Sequence, residues 1–248
     1  MHSPSTHRWW RTASLVPVTI PTVSLPPLDD AWLVIPLYNE AEVIGDVLSE
    51  ARRYFPHIVC IDDGSRDESA MIAARAGAIV VQHPVNLGQG AALQTGFDYL
   101  LIHTDARYAV TFDADGQHNP AEAAEMVERC RRDQLAIIYG SRFLDKRTKA
   151  TPLKRIVLKT AAFVTRLTTG LRLTDAHNGL RCLRRDALSG IRIRQDGMAH
   201  ASEIVSQLAA TGLPWAEMPV HIRYTDYSRS KGQSLLNSVN ILVDLIMR

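Results

Sequence analysis

The sequence of 248 residues lacks any run of about 18 uncharged apolar residues, the length that a helix needs to cross a bilayer. Its first residues lack the compact apolar block and cleavage site of a secretory signal, so we expect no export through one. It has only three cysteines, Cys60, Cys130 and Cys182, whose spacing fits neither a zinc motif nor a disulfide framework and predicts buried thiols in a reducing compartment. Two glycine-rich phosphate-binding motifs are missing as well: no GxGxxG follows the first apolar run, and no P-loop occurs.

Short apolar runs alternate with amphipathic stretches through the first 140 residues. The runs predict strands at 31–35, 57–61, 78–81, 108–112 and 135–139, and the stretches predict helices at 41–53, 66–76, 88–103 and 120–133. Asn39 and Asn119 are the expected helix caps, the second followed by Pro120 at the first helical position. This alternation predicts a single α/β domain, Rossmann-like, with a mostly parallel sheet and helices on both of its faces.

Composition sets the expected domain limits. Residues 1–28 are rich in Ser, Thr and Pro and predict a flexible N-terminal tail. Residues 29–233 are expected to form the domain, and residues 234–248 a C-terminal apolar helix. In the second half of the domain we expect a basic amphipathic helix over 153–167, a helix over 199–211 and a strand over 216–224.

Acidic side chains follow three of the predicted strands. They are Glu40 after the first strand, Asp62 and Asp63 after the second, and Asp113 and Asp115 after the fourth. In an open parallel sheet, ligands bind beyond the carboxyl ends of the strands, where these carboxylates converge and repel one another unless a cation is present. A solvated Asp-rich turn is the alternative. We favour a site in which Asp113, Asp115 and Gln117 hold Mg²⁺ or Mn²⁺ and leave positions open for diphosphate oxygens.

Four ordered segments carry a resemblance to a known family. They are Val34-Ile-Pro-Leu-Tyr-Asn-Glu40, Ile61-Asp-Asp-Gly-Ser65, Asn86-Leu-Gly-Gln-Gly90 and Phe112-Asp-Ala-Asp-Gly-Gln-His118. Together they resemble the GT-A fold glycosyltransferases of family 2, and within these the dolichyl- or polyprenyl-phosphate mannosyl- and glucosyltransferases. The resemblance covers about residues 31–235 and implies a GT-A domain that binds a nucleotide sugar.

The resemblance also implies roles for individual residues. Those expected to bind the nucleotide sugar are Pro36, Tyr38, Glu40, Ile61, Asp63, Asp113, Ala114, Asp115 and Lys231. Those expected to bind the acceptor are Arg142, Arg181 and Arg229, and those expected to act in catalysis are Asp115, Arg142 and Lys231. The resemblance implies that Arg142, from a Gly-Ser-Arg at a strand end, faces the acceptor phosphate.

The sequence departs from the family pattern at three places. Thr225 stands where the family has an arginine six residues before the C-terminal lysine, so that Arg223 or Arg229 is expected to substitute. Leu180 replaces a phenylalanine in a Gly-Phe-Arg loop. No pair of transmembrane helices follows the catalytic segment.

Between Arg142 and Arg185, Lys and Arg outnumber Asp by twelve to two, and this local charge favours an anionic partner. The predicted helix over 153–167 either lies on an anionic membrane surface or presents an ordinary solvated face. We favour the first, which predicts a cytoplasmic protein bound peripherally to the inner face of the cytoplasmic membrane. No basic face is interleaved with aromatic residues, so we expect no nucleic-acid partner.

The expected function is therefore metal-dependent transfer of a hexose from a UDP- or GDP-linked donor to a polyprenyl phosphate, with inversion. One alternative is transfer to a saccharide hydroxyl in cell-surface polysaccharide assembly, which needs a general base and makes Asp175, Glu203 and His200 candidates. A noncatalytic basic protein that binds membrane surfaces is the alternative of another class.

Overall fold

A computed structural model of the chain describes residues 28–145, 169–197, 199–223 and Tyr227. The predicted helices at 153–167 and 234–248, together with residues 1–27, Arg229 and Lys231, lie outside the described residues. Leu28, which the sequence assigned to the tail, is fully buried, and its backbone N–H donates to the carbonyl of Tyr54. The domain therefore begins at least one residue earlier than predicted.

Seven strands form one sheet in the spatial order β3-β2-β1-β4-β6-β5-β7. The strands are β1 (Ala31–Leu37), β2 (His57–Asp62), β3 (Ile79–Gln82), β4 (Tyr108–Thr111), β5 (Ile137–Ser141), β6 (Arg181–Arg184) and β7 (Trp215–Pro219). All neighbours are parallel except β6, which runs antiparallel to both β4 and β5. The predicted mostly parallel sheet is confirmed, and β6 is a strand that the sequence analysis missed.

Helices cover both faces of the sheet, as predicted. They are α1 (Ile44–Ala51), α2 (Ser69–Arg75), α3 (Gln89–His103), α4 (Pro120–Arg132), α5 (Arg185–Ser189) and α6 (His200–Ala210). One core cluster packs α1 and α4 against side chains such as Leu33 and Ile35, which alternate along β1 with Val34. The other packs α3 and α6 against Val34 and Val59 on the opposite face. Burial on both faces explains why these strands read as continuous apolar runs.

The two asparagine caps have different outcomes. Asn119 caps α4 as predicted, because its side-chain oxygen accepts from the N–H of Ala121. Asn39 does not cap α1, which begins only at Ile44. Asn39 has a φ of +53° in a tight turn, and its side-chain oxygen accepts instead from the N–H of Arg66. The prediction for Asn39 was wrong because a contact with a distant loop took the place of the local cap.

Candidate active site

A cleft of about 400 Å³ opens at the carboxyl ends of β1, β2 and β4. The sheet order reverses between β1 and β4, and such a switch point is where open α/β sheets bind ligands. The cleft is lined by Pro36, Leu37, Tyr38, Glu40, Asp63, Asn86, Gly88, Gln89, Ala92, Asp113, Ala114, Asp115, His177, Gly179, Arg181, His200 and Ala201. Each of the three predicted acidic clusters therefore contributes at least one side chain to this cleft.

Asp113 and Asp115 follow β4 and face the cleft together. Desolvation in the cleft, reinforced by the negative charge of Asp113, raises the pKa of Asp115 to about 6. Desolvation also acts to raise the pKa of Asp113, but the adjacent His118 outweighs it and the pKa is lowered overall. Two carboxylates at close quarters, one of them reluctant to ionise, form a site that a divalent cation would stabilise.

Asp113 is held from two sides. Its Oδ2 lies 2.8 Å from Nε2 of the buried His118, and its Oδ1 accepts from the side-chain amide of Gln89 at 3.3 Å. Gly179 lies directly behind it, since a Cβ on that glycine would stand only 2.6 Å from Oδ2 of Asp113. The absence of a side chain at 179 is therefore what leaves room for the carboxylate.

Asp62, the last residue of β2, and Asp63, which follows it, are used differently. Asp63 is buried, and its carboxylate accepts the N–H groups of Leu87 and Gly88 at 2.9 and 2.8 Å and faces Nδ1 of His83 at 2.8 Å. Asp62 accepts from the N–H of Ser65 and from the side chain of Gln82. Asp63 therefore holds the loop that leads into α3, and Asp62 holds the turn after β2 and the end of β3.

The N-terminus of α3 is shaped by contact with the loop 194–197. Gly90 donates its N–H to the carbonyl of Asp196, and a Cβ at Gly90 would lie 2.0 Å from the carbonyl oxygen of Gln195. Gly88, with φ +100°, approaches Asp196 as closely. Glu203 fixes this loop by accepting the N–H groups of Arg194 and Gln195. Glu203 is thus a structural carboxylate outside the cleft lining, which removes it as a candidate base.

Arg142 is engaged in an ion pair. Its guanidinium makes a two-point contact with the carboxylate of Asp175 at 2.6 and 2.7 Å, and only 14% of its side chain is exposed. Burial acts to raise the pKa of Asp175, but Arg142 outweighs it and the pKa lies below its usual range. Arg142 does not line the cleft, and Asp175 is held as a buried counter-ion. The structure therefore contradicts Asp175 as a base in this state, and it places Arg142 outside the cleft where we expected the acceptor phosphate.

Arg181 is the described arginine that lines the cleft. It lies at the start of β6 and is 2% exposed. Its Nη2 donates weakly to the carbonyl of Ala176 at 3.4 Å, whereas its buried Nε has no hydrogen-bond partner among the residues that the structure describes. A buried guanidinium with an unmet donor is poised to bind an anion or a hydroxyl.

Two histidines, His177 and His200, line the same part of the cleft. Burial, followed by the positive charge of Arg181, lowers the pKa of His177 to about 4, so its ring is neutral near pH 7. Burial also lowers the pKa of His200, whose Nδ1 lies 2.8 Å from the carbonyl of Gly197. His177 was not predicted as a site residue. The local sequence that could have indicated it is the turn-forming stretch His-Asn-Gly just before β6, a strand that was also not predicted.

Most of the predicted site residues meet in the cleft. The residues that line it are Pro36, Tyr38, Glu40, Asp63, Asp113, Ala114, Asp115 and Arg181. Ile61 does not: its side chain is fully buried under α3, close to Gly96, because it lies on an inward-facing position of β2. Gln117 lies next to Asp115, where its backbone N–H donates to the carboxylate of Asp115 and its carbonyl accepts from the backbone N–H of Arg223.

Two residues near the C-terminal end of the described chain precede the predicted ligands Arg229 and Lys231. Tyr227 donates its hydroxyl to Glu40 at 2.7 Å and so reaches the rim of the cleft. Arg223, proposed as a substitute for the family arginine, pairs with Glu50 at 2.8 Å on α1. Arg229 and Lys231 remain predictions, since they lie outside the described residues.

Two features of the described residues limit what the site can be. None of the described helices is long and apolar enough to span a membrane. No cluster of three or more His, Cys, Asp or Glu side chains that could hold a metal ion occurs within the described ranges. A site built on Asp113 and Asp115 would therefore need further ligands from a substrate.

Comparison with known proteins gives consistent matches. A family model described as Glycosyl transferase family 2 matches residues 32–192. An uncharacterized protein of Methanocaldococcus jannaschii is 35% identical over 225 residues, which span 89% of this chain and 92% of the relative. The UDP-N-acetylglucosamine–dolichyl-phosphate N-acetylglucosaminyltransferase of Methanococcus voltae is 29% identical over 238 residues, 87% of this chain and 94% of the relative.

A solved structure shows the same fold. Glucosyl-3-phosphoglycerate synthase from Mycobacterium tuberculosis, in complex with Mn²⁺, UDP and glucosyl-3-phosphoglycerate, matches with a TM-score of 0.64. The match covers 88% of this chain and 79% of the synthase, at 16% sequence identity. At that identity the likeness establishes the architecture of the sheet and its helices.

Proposed function

The chain belongs to glycosyl transferase family 2 and has the GT-A fold, and on that premise we propose that it transfers a hexose, with inversion, from a nucleoside diphosphate to a polyprenyl phosphate in a metal-dependent reaction. The observation that carries this proposal is the pair of converging carboxylates, Asp113 and Asp115, in the cleft at the switch point of the sheet. The chain is a glycosyltransferase; its metal, donor and acceptor are what we add here.

The residues of the cleft fit a divalent cation. Asp113 and Asp115 supply hard oxygen ligands, and burial, reinforced by the charge of Asp113, raises the pKa of Asp115, a cost that a bound cation would offset. A pair of carboxylates is fewer than a protein-only site needs, which suits an ion completed by diphosphate oxygens, with Gln117 nearby. When bound, Mg²⁺ or Mn²⁺ neutralises the charge that gathers on the leaving nucleoside diphosphate.

The donor is proposed to lie along the β1 and β2 side of the cleft. Pro36, Tyr38 and Glu40 line this wall. Asp63 acts there through the backbone, because it fixes the turn at Leu87 and Gly88 beside the nucleotide. A UDP- or GDP-linked hexose would thus place its diphosphate near the two metal carboxylates.

The acceptor is proposed to be a lipid phosphate because the described site offers few side chains that could take the proton of a hydroxyl acceptor. A phosphate monoester is already largely ionised at pH 7 and can attack the anomeric carbon without a strong base. Of the candidate bases, Asp175 is paired with Arg142 and Glu203 holds a loop; only His200 faces the cleft. Arg181 offers its unmet Nε–H to the acceptor phosphate. The Methanococcus voltae relative is named for a dolichyl-phosphate acceptor, which supports this choice.

Inversion follows from the proposed single displacement. The acceptor oxygen forms its bond to the anomeric carbon as the bond from that carbon to the diphosphate oxygen breaks, and the nucleoside diphosphate departs. One displacement inverts the configuration of the anomeric carbon. The configuration of the product lipid, measured by nuclear magnetic resonance, should be opposite to that of the donor.

We propose that the enzyme works on the inner face of the cytoplasmic membrane without crossing it. The excess of Lys and Arg between Arg142 and Arg185 would attract anionic headgroups. Sedimentation with vesicles should show binding when phosphatidylglycerol is present and release as salt rises from 0.1 to 0.5 M. Equal binding to purely zwitterionic vesicles would contradict an electrostatic contact.

The central test is a donor panel. Purified protein is incubated with UDP-glucose, UDP-N-acetylglucosamine or GDP-mannose, with Mn²⁺ or Mg²⁺, and with undecaprenyl phosphate or a free sugar as acceptor. We expect release of nucleoside diphosphate and transfer of labelled sugar into the lipid phase, both abolished by chelation.

Matched variants separate this proposal from its rivals. Asp115→Asn should lose turnover, whereas Asp105→Asn, an exposed carboxylate outside the cleft, should keep it. Full activity in a chelated sample would refute metal dependence. Transfer only to the free sugar would replace the lipid acceptor by a hydroxyl, and vesicle binding without turnover of any donor would favour a noncatalytic membrane protein.

A further inference from the structure

One end of the cleft lies beyond the walls assigned to the nucleotide. We call it the inner end and define it by His177, Gly179, Arg181, His200 and Ala201. It belongs to the segment 177–181 and the first residues of α6; Arg181, His200 and Ala201 are buried there, and His177 and Gly179 are half-buried. The proposed function assigns Arg181 to the acceptor phosphate but gives His177 no role.

The position of the inner end fixes which part of the substrates it can meet. Gly179 packs against the carboxylate of Asp113, where the donor diphosphate is proposed to bind. Arg181, two residues further along the same segment, is proposed to meet the acceptor phosphate. The hexose is bonded to the diphosphate and is attacked by the acceptor, so it must lie between these two points. His177 lines the same wall of the cleft.

His177 has the properties of a side chain that forms hydrogen bonds with the hydroxyl groups of a sugar. Its Nε2 lies 3.2 Å from the hydroxyl of Ser202, which fixes the ring, while no hydrogen bond to Nδ1 occurs among the described residues. With a pKa near 4 the ring carries no charge at pH 7, so it can donate to or accept from a hydroxyl but does not attract phosphate. A neutral ring that is fixed through Nε2 and has no hydrogen-bond partner on Nδ1 among the described residues is well suited to distinguish one sugar from another.

We propose that the inner end holds the transferred hexose and that His177 selects it through its unpaired Nδ1. This inference rests on the proposed function and adds a residue that determines sugar specificity. The neighbouring His200 serves as packing beside the sugar, since its Nδ1 is already directed at the carbonyl of Gly197.

The test compares binding of a nucleotide with binding of its sugar conjugate. Titration calorimetry with Mn²⁺ measures Kd for UDP and GDP and for UDP-glucose, UDP-N-acetylglucosamine and GDP-mannose. In His177→Ala we expect Kd for the preferred sugar nucleotide to rise about three- to tenfold, as for one lost hydrogen bond, while Kd for the bare nucleotide stays unchanged. The ratio of kcat/KM between the preferred hexose and its competitors should fall by a similar factor.

Two further variants keep the result interpretable. His177→Asn places an amide where the ring Nδ1 stands and should restore part of the sugar selectivity even though the contact with Ser202 is lost. His103→Ala removes an exposed histidine at the C-terminus of α3, outside the cleft, and should leave every constant unchanged. If His177→Ala does not fold, His177→Asn alone still decides the matter, because the inference requires its sugar ratios to differ from those of the wild type.

The possible results separate failure of this inference from failure of the proposed function. Unchanged sugar selectivity in both variants, with normal nucleotide binding, overturns the role of His177 and leaves the function intact. Equal weakening of bare nucleotide and sugar nucleotide also overturns it, because His177 would then act on the nucleotide site. Failure of the wild type to bind any nucleotide or sugar nucleotide overturns the proposed function itself.

Discussion

Two pairs of aspartates lie at the same edge of the sheet and have different tasks. Asp62 ends β2 and Asp63 follows it, whereas Asp113 and Asp115 follow β4. The first pair accepts hydrogen bonds from backbone N–H groups and neighbouring side chains, which stabilise its negative charge within the fold. The second pair has its charges close together, and the pKa of Asp115 is raised to about 6.

The difference teaches that the use of a carboxylate depends on what surrounds it. Two neighbouring aspartates at a strand end look alike in the sequence, but only a pair whose charges lie close together in a desolvated cleft creates a demand for a cation. Asp63 accepts hydrogen bonds from backbone N–H groups of the loop between β3 and α3. Asp115 accepts one backbone N–H, that of Gln117, and otherwise faces the cleft. The same chemical change at the two positions should therefore have opposite consequences.

The largest expected effect is on turnover by Asp115→Asn. Removing one of two metal carboxylates should lower kcat/KM by roughly a thousandfold, because several kcal/mol of stabilisation of the leaving group are lost. Thermal unfolding of the variant should remain cooperative, since Asp115 holds no loop in place. Steady-state release of nucleoside diphosphate measures the first effect and calorimetry the second. Near-normal turnover would mean that this pair is not the metal site.

The second prediction concerns Asp63→Asn. The amide can accept only through one oxygen, so one of the N–H groups of Leu87 and Gly88 loses its buried acceptor, and the unfolding free energy should fall by about 1–3 kcal/mol. Urea unfolding measures this, with Asp115→Asn as the matched substitution. If Asp63→Asn proves as stable as the wild type while losing nucleotide affinity, Asp63 would be a ligand-binding residue and the contrast between the pairs would collapse.

A smaller effect is expected from Gly179→Ala, which disturbs the second pair from outside. The added methyl group would stand 2.6 Å from Oδ2 of Asp113, so the carboxylate must shift. We expect kcat/KM to fall about tenfold, because misplacing a catalytic group slightly is costly, while the concentration of Mn²⁺ needed for half-maximal activity rises. Gly197→Ala is the control, because nothing lies within 4 Å of the added Cβ and Gly197 does not have a positive φ. An unchanged metal requirement would argue against Asp113 as a ligand.

The elements that follow local rules were predictable from the sequence. The apolar runs gave β1, β2 and β4 within one or two residues, and Asn119 with Pro120 marked the start of α4. β6 could not be found this way, since it is four residues long, begins and ends with arginine, and is defined by pairing with β4 and β5 on both sides. Its existence depends on strands that lie far away in the sequence.

The candidate site was predictable in its chemistry and less so in its partners. The motif residues Asp113 and Asp115 do line the cleft together. Asp175 forms an ion pair with Arg142, 33 residues away in the sequence, and no local pattern predicts such a pair. His177 reaches the cleft only because the segment before β6 returns to the carboxylate of Asp113. Long-range packing determines which charged groups face the cleft and which form ion pairs inside the fold.

The smallest expected effect is a pH dependence of stability in the metal-free protein. Burial and the charge of Asp113 raise the pKa of Asp115 from the ordinary 3.8 to about 6 in the folded chain, so the folded state retains the proton more strongly. Its contribution to stability is fully present below pH 4 and is lost as pH rises through 6. In EDTA, the unfolding free energy of the wild type should therefore fall relative to that of Asp115→Asn by about 1–2 kcal/mol between pH 4 and pH 8, a value reduced from the full shift for partial exposure. Saturating Mn²⁺ should remove this fall, because the ion stabilises the ionised pair. Parallel stability curves for the two proteins in EDTA would show that Asp115 is as well satisfied as Asp63, and the distinction between the two pairs would then have no electrostatic basis.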